Sequence, residues 1–182
     1  MDTVISNELY NSTCVVADEL AKLLQKHELK IVFAESCTAG LVSAILAHHP
    51  GISKWLCGSA VTYRAAVKEE WLQIDPDLIK QFTAVSPEVT IEMARSVLTK
   101  TNDADLSIAI TGHLEPGASE NGAFVILSKG TRETGSDTRA DSERFRLHES
   151  TRCLRQWEAA KLAIHAAIQH VNNLQTPTNI PE

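Results

Sequence analysis

The segment AESCTAG, residues 34–40, places Ser36, Cys37 and Thr38 where an apolar stretch turns towards a helix, with Gly40 permitting close backbone approach. A hydroxyl at such a bend can face a ligand, and N–H groups left free at a helix start stabilise an oxyanion or bind a phosphate. The same residues also read without chemistry, because Ser and Thr are preferred helix caps and Ser36 or Thr38 can serve the backbone alone. Cys37 stands apart from the other thiols, since a cysteine at a helix start can be acidified.

A serine nucleophile needs a base, and no histidine is placed by a motif to supply one. Lysine can substitute, because burial or a neighbouring positive charge lowers its pKa towards the working range. VTYRAAVK, residues 61–68, offers Tyr63 and Lys68 at the end of a second apolar stretch. An interfacial tyrosine and a solvated helix lysine are the bland alternative, and spacing alone leaves both readings open.

Periodicity names the elements that must hold these residues. Leu9, Val16, Leu20, Leu23 and Leu24 share one face of a helix over 8–27, and LKIVFA, 29–34, reads as a buried strand. A helix over about 40–48 ends at Pro50 and Gly51, and Gly58–Tyr63 reads as a strand leading into an Ala-rich helix. Asp75 and Pro76 mark a further break, whereas Ser86, Pro87 and Glu88 are cap, first-turn proline and first-turn acid of a helix reaching Leu98. Asp105–Ile110 reads as a strand ending at Thr111 and Gly112, GHLEPGASENG as a loop, and Ala123–Leu127 as the next strand. Residues 129–142 read as an exposed polar excursion before a strand over 143–147, and a long helix through about Val171 leaves 172–182 as a frayed tail. The fold class expected is α/β: one domain over 1–171, a three-layer α/β/α sandwich whose consecutive late strands make the sheet mixed. Ligands gather beyond strand ends in such sheets, which points to the loops at Ser36 and Thr111.

Composition excludes several classes of function. The 182 residues suit one domain, and 43% apolar with 22% charged residues is ordinary globular usage. A net charge of −6 supplies no field for nucleic acid, so no nucleic-acid partner is expected. MDTVISNELYNSTCVVADEL lacks the basic start and apolar core of a signal peptide, and no later run approaches the ~20 apolar residues of a membrane span, so a cytoplasmic place and no membrane partner are expected. Cys14, Cys37, Cys57 and Cys153 form no CxxC pair, which argues against a disulfide framework or zinc site and leaves Cys14, Cys57 and Cys153 as expected buried thiols. His48 with His49, and His165 with His170, lack the i, i+4 spacing of a helical metal site, so no metal is expected.

AESCTAG, PGISKW, VTYRAAVK, TAVSPEV and DLSIAITG, followed by the last helix, form an ordered series over roughly residues 8–171 that resembles the CinA C-terminal-domain family. The resemblance implies an α/β/α sandwich and deamidation of nicotinamide mononucleotide, a small pyridine nucleotide, with no metal or redox cofactor. It implies that Ser36 attacks the carboxamide, that Lys68 moves protons and that Tyr63 orients or protonates the reacting groups. Cys37, Thr38 and Gly40 would then supply oxyanion donors, and Thr111, Gly112, His113, Leu114 and Arg152 would meet the substrate. Self-association is left open.

The chain departs from the family pattern in places. His113, Leu114 and Glu115 replace small or apolar members of an IAGPGGG-like segment, and Ala65 stands where an asparagine is common. Leu147, His148 and Glu149 replace a GDR-like segment whose arginine is expected to hold an anion; Arg152, about one turn onward, is either its compensation or a surface cation. Three readings follow: a nicotinamide mononucleotide amidohydrolase, an amidohydrolase of altered substrate, and a noncatalytic ligand-binding or interaction module of the same fold.

Overall fold

A computed structural model describes residues 5–115, 117, 122–132 and 138–175. Helix α1 (Asn7–His27) begins where Ser6 Oγ accepts the Leu9 N–H, and it ends at Glu28, whose φ of 54° is left-handed. Strand β1 (Ile31–Glu35) is buried at every position, as a strand covered on both faces must be. Helix α2 (Leu41–Leu46), a 3-10 turn (Ile52–Lys54), β2 (Leu56–Val61) and α3 (Ala65–Leu72) follow. The chain continues through α4 (Pro76–Phe82), α5 (Pro87–Lys100), β3 (Leu106–His113), β4 (Phe124–Arg132), β5 (Thr138–Arg146) and α6 (Arg152–Gln175).

The sheet runs β2-β1-β3-β4-β5, parallel through β2, β1 and β3 and antiparallel at β4 and β5. One core lies between α1, α2, α6 and the face carrying Ile31, Phe33, Ile108 and Val125. A second lies between α5 and the face carrying Val32, Ala34 and Ala109, with Leu72 and Ile74 closing it. These are the three layers expected of a mixed α/β/α sandwich. Among the described residues no helix is long and apolar enough to cross a membrane.

Three sequence expectations need correction. Asp75 and Pro76 begin α4 rather than merely breaking the chain, since Asp75 Oδ1 accepts the Asp77 N–H and Pro76 takes the first helical turn. Residues 129–132 and 138–142 are strand, paired from Lys129↔Asp141 to Arg132↔Thr138; β5 is the edge strand and carries polar residues, and the polarity of the two segments had the look of a loop. Helix α6 continues to Gln175, so only 176–182 of the expected tail lie outside the described residues.

Candidate functional site

Register brings the suspects together. Glu35 pairs with Val61 on one side and Ile110 on the other, so three parallel strands end level. The ladder runs one step further, with Thr62 N–H donating to Glu35 carbonyl and Ser36 N–H to Ile110 carbonyl. Ser36, Tyr63 and Thr111–His113 therefore leave the same edge of the sheet. Beyond Ser36 the backbone reverses through Ala39 (φ 53°) and Gly40 (φ 96°), and the second angle is one that glycine tolerates best.

Glu35 holds this turn. Its Oε2 accepts from Thr38 Oγ1 (2.8 Å), Gly40 N–H (2.9 Å) and Val42 N–H (3.1 Å), and its Oε1 from Ser43 N–H (3.1 Å), Ser43 Oγ (2.9 Å) and Ser59 Oγ (2.9 Å). Gly40 caps α2 without a side chain, and the carboxylate from the strand performs that service instead. Gln156 clamps the turn from α6, its Nε2 donating to the carbonyls of Cys37 and Thr38 at 3.2 Å each.

Lys68 is the second buried charge, only 1% exposed. It occupies the inward face of α3 one turn before Leu72, a core position by spacing. Its Nζ lies 3.0 Å from Ser36 Oγ and donates also to the Thr62 carbonyl. Burial pushes the ammonium down to about 8, with Cys37 opposing slightly. Ser36 is itself nearly enclosed, at 7% exposure. In the charged state Lys68 donates to Ser36; once neutral it presents a lone pair to the same hydroxyl.

The two residues sit in a cleft of about 210 Å³, whose mouth is formed by Tyr63, Glu115 and Arg152. Tyr63 is 51% exposed, and its hydroxyl accepts from Arg152 Nη2 at 2.7 Å rather than joining Ser36 and Lys68. Arg152 Nη1 donates to Glu115 Oε1 at 2.9 Å. Gly112 lines one wall, and a Cβ there would come within 2.6 Å of the Phe124 carbonyl oxygen, so no larger residue fits the strand. His113 also lines the cleft, its ring edge-on to Phe124 at 5.3 Å.

Of the residues singled out by sequence, Ser36, Cys37, Tyr63, Lys68, Gly112, His113, Leu114 and Arg152 line this one cleft. Thr38, Gly40 and Thr111 do not: the first two are turned to Glu35, and Thr111 Oγ1 lies 2.7 Å from Thr90 Oγ1 in the core. Glu149 is not among the lining residues either. Cys37 is not acidified; burial raises its thiol to about 12. The expectation of three further buried thiols fails, since Cys57 is exposed and Cys14 and Cys153 are half-buried. Among the described residues no cluster of His, Cys, Asp or Glu could hold a metal ion.

Sequence reasoning passed over several residues. Ala84 and Val85, within TAVSPEV, form a wall of the cleft ahead of the Ser86 cap of α5. Arg155, buried at 8% exposure, donates to the carbonyls of Leu114 (2.9 Å) and Ser150 (3.0 Å) and so ties the cleft loop to the start of α6. Glu35 stood inside AESCTAG unremarked, although a carboxylate at the end of an otherwise apolar strand must find donors.

A family profile described as the CinA C-terminal domain matches residues 14–170. A CinA-like protein of Leptospira interrogans is 40% identical over 113 residues, 61% of this chain and 27% of that protein. One from Syntrophotalea carbinolica is 31% identical over 144 residues, 76% of this chain and 35% of that protein. The chain thus spans about a quarter to a third of the length of these curated relatives. Among solved structures, a CinA-superfamily protein from Klebsiella pneumoniae superposes with a TM-score of 0.79 at 24% identity, covering 88% of this chain and 98% of that one. A competence/damage-inducible protein from Agrobacterium tumefaciens gives 0.78 at 22% identity, covering 94% and 99%. At such identities the likeness shows the fold.

Proposed function

The chain belongs to the CinA C-terminal domain family, and from that premise we propose that it hydrolyses the carboxamide of nicotinamide mononucleotide, releasing ammonia and nicotinate mononucleotide. The observation that carries the reading is the enclosed contact between Ser36 Oγ and Lys68 Nζ at 3.0 Å, with the lysine held near 8 by burial. A hydroxyl becomes a nucleophile when an adjacent base takes its proton, and a desolvated lysine is such a base close to neutral pH.

In this reading neutral Lys68 accepts the Ser36 proton as Oγ adds to the amide carbon. The oxyanion is met by the backbone N–H of Cys37, which follows directly on the nucleophile and lines the same cleft. Lys68 then returns the proton to the departing nitrogen, which leaves as ammonia. Water, deprotonated by the same lysine, hydrolyses the acyl-Ser36 ester. Tyr63 and Arg152, joined at 2.7 Å, hold the mouth side of the substrate.

Ser36→Ala removes the nucleophile and leaves the Glu35 network intact. Ammonia release from nicotinamide mononucleotide is expected to fall by ~10⁴-fold or more, with the melting temperature within a few degrees of wild type. Wild-type turnover by the purified variant would reject Ser36 and with it the covalent route.

A further inference from the structure

Among the described residues that line the cleft there is one guanidinium, and each of its terminal nitrogens already has a partner. Arg152 Nη1 gives one N–H to Glu115 and Nη2 one to Tyr63, at 2.9 and 2.7 Å. Carboxylate and phosphate compete for the same fork of donors, because each is recognised by paired N–H groups of a guanidinium. The other strong cation lining the cleft, Lys68, is buried and turned to Ser36 and Thr62. An anion arriving at the mouth therefore meets a neutralised pair.

Resting on the amidohydrolase reading, we propose that Glu115 sets the charge preference of the cleft: it occupies the arginine that a substrate phosphate would use, and so admits carboxamides without phosphate, including the cationic pyridinium nucleoside. Glu115 acts here as a specificity-determining residue. The arrangement is graded rather than absolute. Arg152 and Glu115 are 48% and 56% exposed, so water screens the pair and a phosphate can displace the carboxylate at modest cost. Glu115 nevertheless leaves a like charge beside any phosphate that does enter, and it attracts a positively charged ring system. Glu149, which stands where the family pattern has arginine, is not among the described lining residues of the cleft.

The test is the ratio of kcat/KM for nicotinamide mononucleotide to that for nicotinamide riboside, measured for wild type and Glu115→Gln. Glutamine keeps the length of the side chain and removes its charge. The ratio is expected to rise about fivefold in the variant, the span of an exposed ion pair, and the rise should shrink at high ionic strength. An unchanged or lower ratio overturns the proposal. Should neither compound be turned over, the amidohydrolase reading fails, and calorimetric titration of the same proteins with ribose 5-phosphate and with ribose decides the charge preference separately. Tighter binding of the phosphate alone in Glu115→Gln sustains it, and equal change in both sugars overturns it.

Discussion

Glu35 and Lys68 are buried charges at the same end of the sheet, and the protein treats them in opposite ways. Glu35 is surrounded by N–H and hydroxyl donors on both carboxyl oxygens, so its buried polar atoms are satisfied and it becomes a structural centre for the turn at Ser36. Lys68 has a carbonyl and a hydroxyl, no carboxylate among the described residues, and a pKa brought down to about 8. A satisfied buried charge fixes geometry, whereas an under-satisfied one stores the free energy that makes a base. The serine lies between them in sequence: Glu35 shapes the bend that carries its side chain into the cleft, and Lys68 supplies the acceptor.

The sharpest way to break this contrast is Lys68→Met, which keeps the volume and deletes the amine. The turnover number is expected to fall by ~10³-fold or more, as for loss of a general base acting on the nucleophile. The fold should gain. Holding Lys68 protonated at pH 7 when its folded pKa is about 8 rather than 10.5 costs up to ~3 kcal/mol, and loss of the bond to the Thr62 carbonyl takes back ~1–2 kcal/mol. Thermal unfolding should therefore show a melting temperature a few degrees above wild type. A variant that is both inactive and clearly less stable would mean that Lys68 is structural.

Glu35 predicts the reverse pattern. Glu35→Ala empties a buried position and strands the N–H groups of Gly40, Val42 and Ser43, so a loss of ~3–4 kcal/mol is expected in denaturant unfolding. Glu35→Gln should cost about half as much. Its NH₂ can replace Oε1, where Ser43 Oγ and Ser59 Oγ can rotate to accept and only the Ser43 N–H loses its acceptor, while its carbonyl oxygen keeps the three donors of Oε2. Equal damage by the two variants would show that charge rather than donor geometry holds the turn.

The sequence made the frame of this contrast legible and hid its logic. The α/β order, the buried β1 and the Ser86-Pro87 cap followed from periodicity and capping grammar, which act locally. The same grammar was present at Asp75-Pro76 and read only as a break. The polar end of β4 and the edge strand β5 gave little hydrophobic alternation, so their length was missed. Ser36, Tyr63 and Lys68 stood out as a hydroxyl, a phenol and an amine near strand ends, and the family resemblance assigned them roles; the Arg152 partner of Tyr63 was not foreseen. Whether Tyr63 meets Ser36 or Arg152, and whether Thr38 faces the cleft or Glu35, depends on contacts between residues distant in the chain that periodicity does not encode. A lysine one turn from Leu72 on the inward face was the available sign that Lys68 is buried.

The mildest test leaves the chain unaltered and changes the pH. If neutral Lys68 is the reacting form, kcat/KM rises through a pKa of about 8, and the neutral fraction grows from roughly a tenth at pH 7 to nine tenths at pH 9, a gain of about tenfold. Stability follows the same group with a definite sign. The folded pKa lies below the unfolded value of 10.5, so between about 8 and 10.5 the unfolded chain binds more protons and this group's contribution makes the fold more stable as pH rises. The stability advantage of Lys68→Met over wild type should accordingly fade across that window and be largest below pH 8. A rate that is flat from pH 7 to 9, together with an advantage that does not fade, would place the proton acceptor elsewhere and reduce Lys68 to a counter-charge; the two measurements moving together through the same pKa would tie the activity to the desolvation that sets this lysine apart from Glu35.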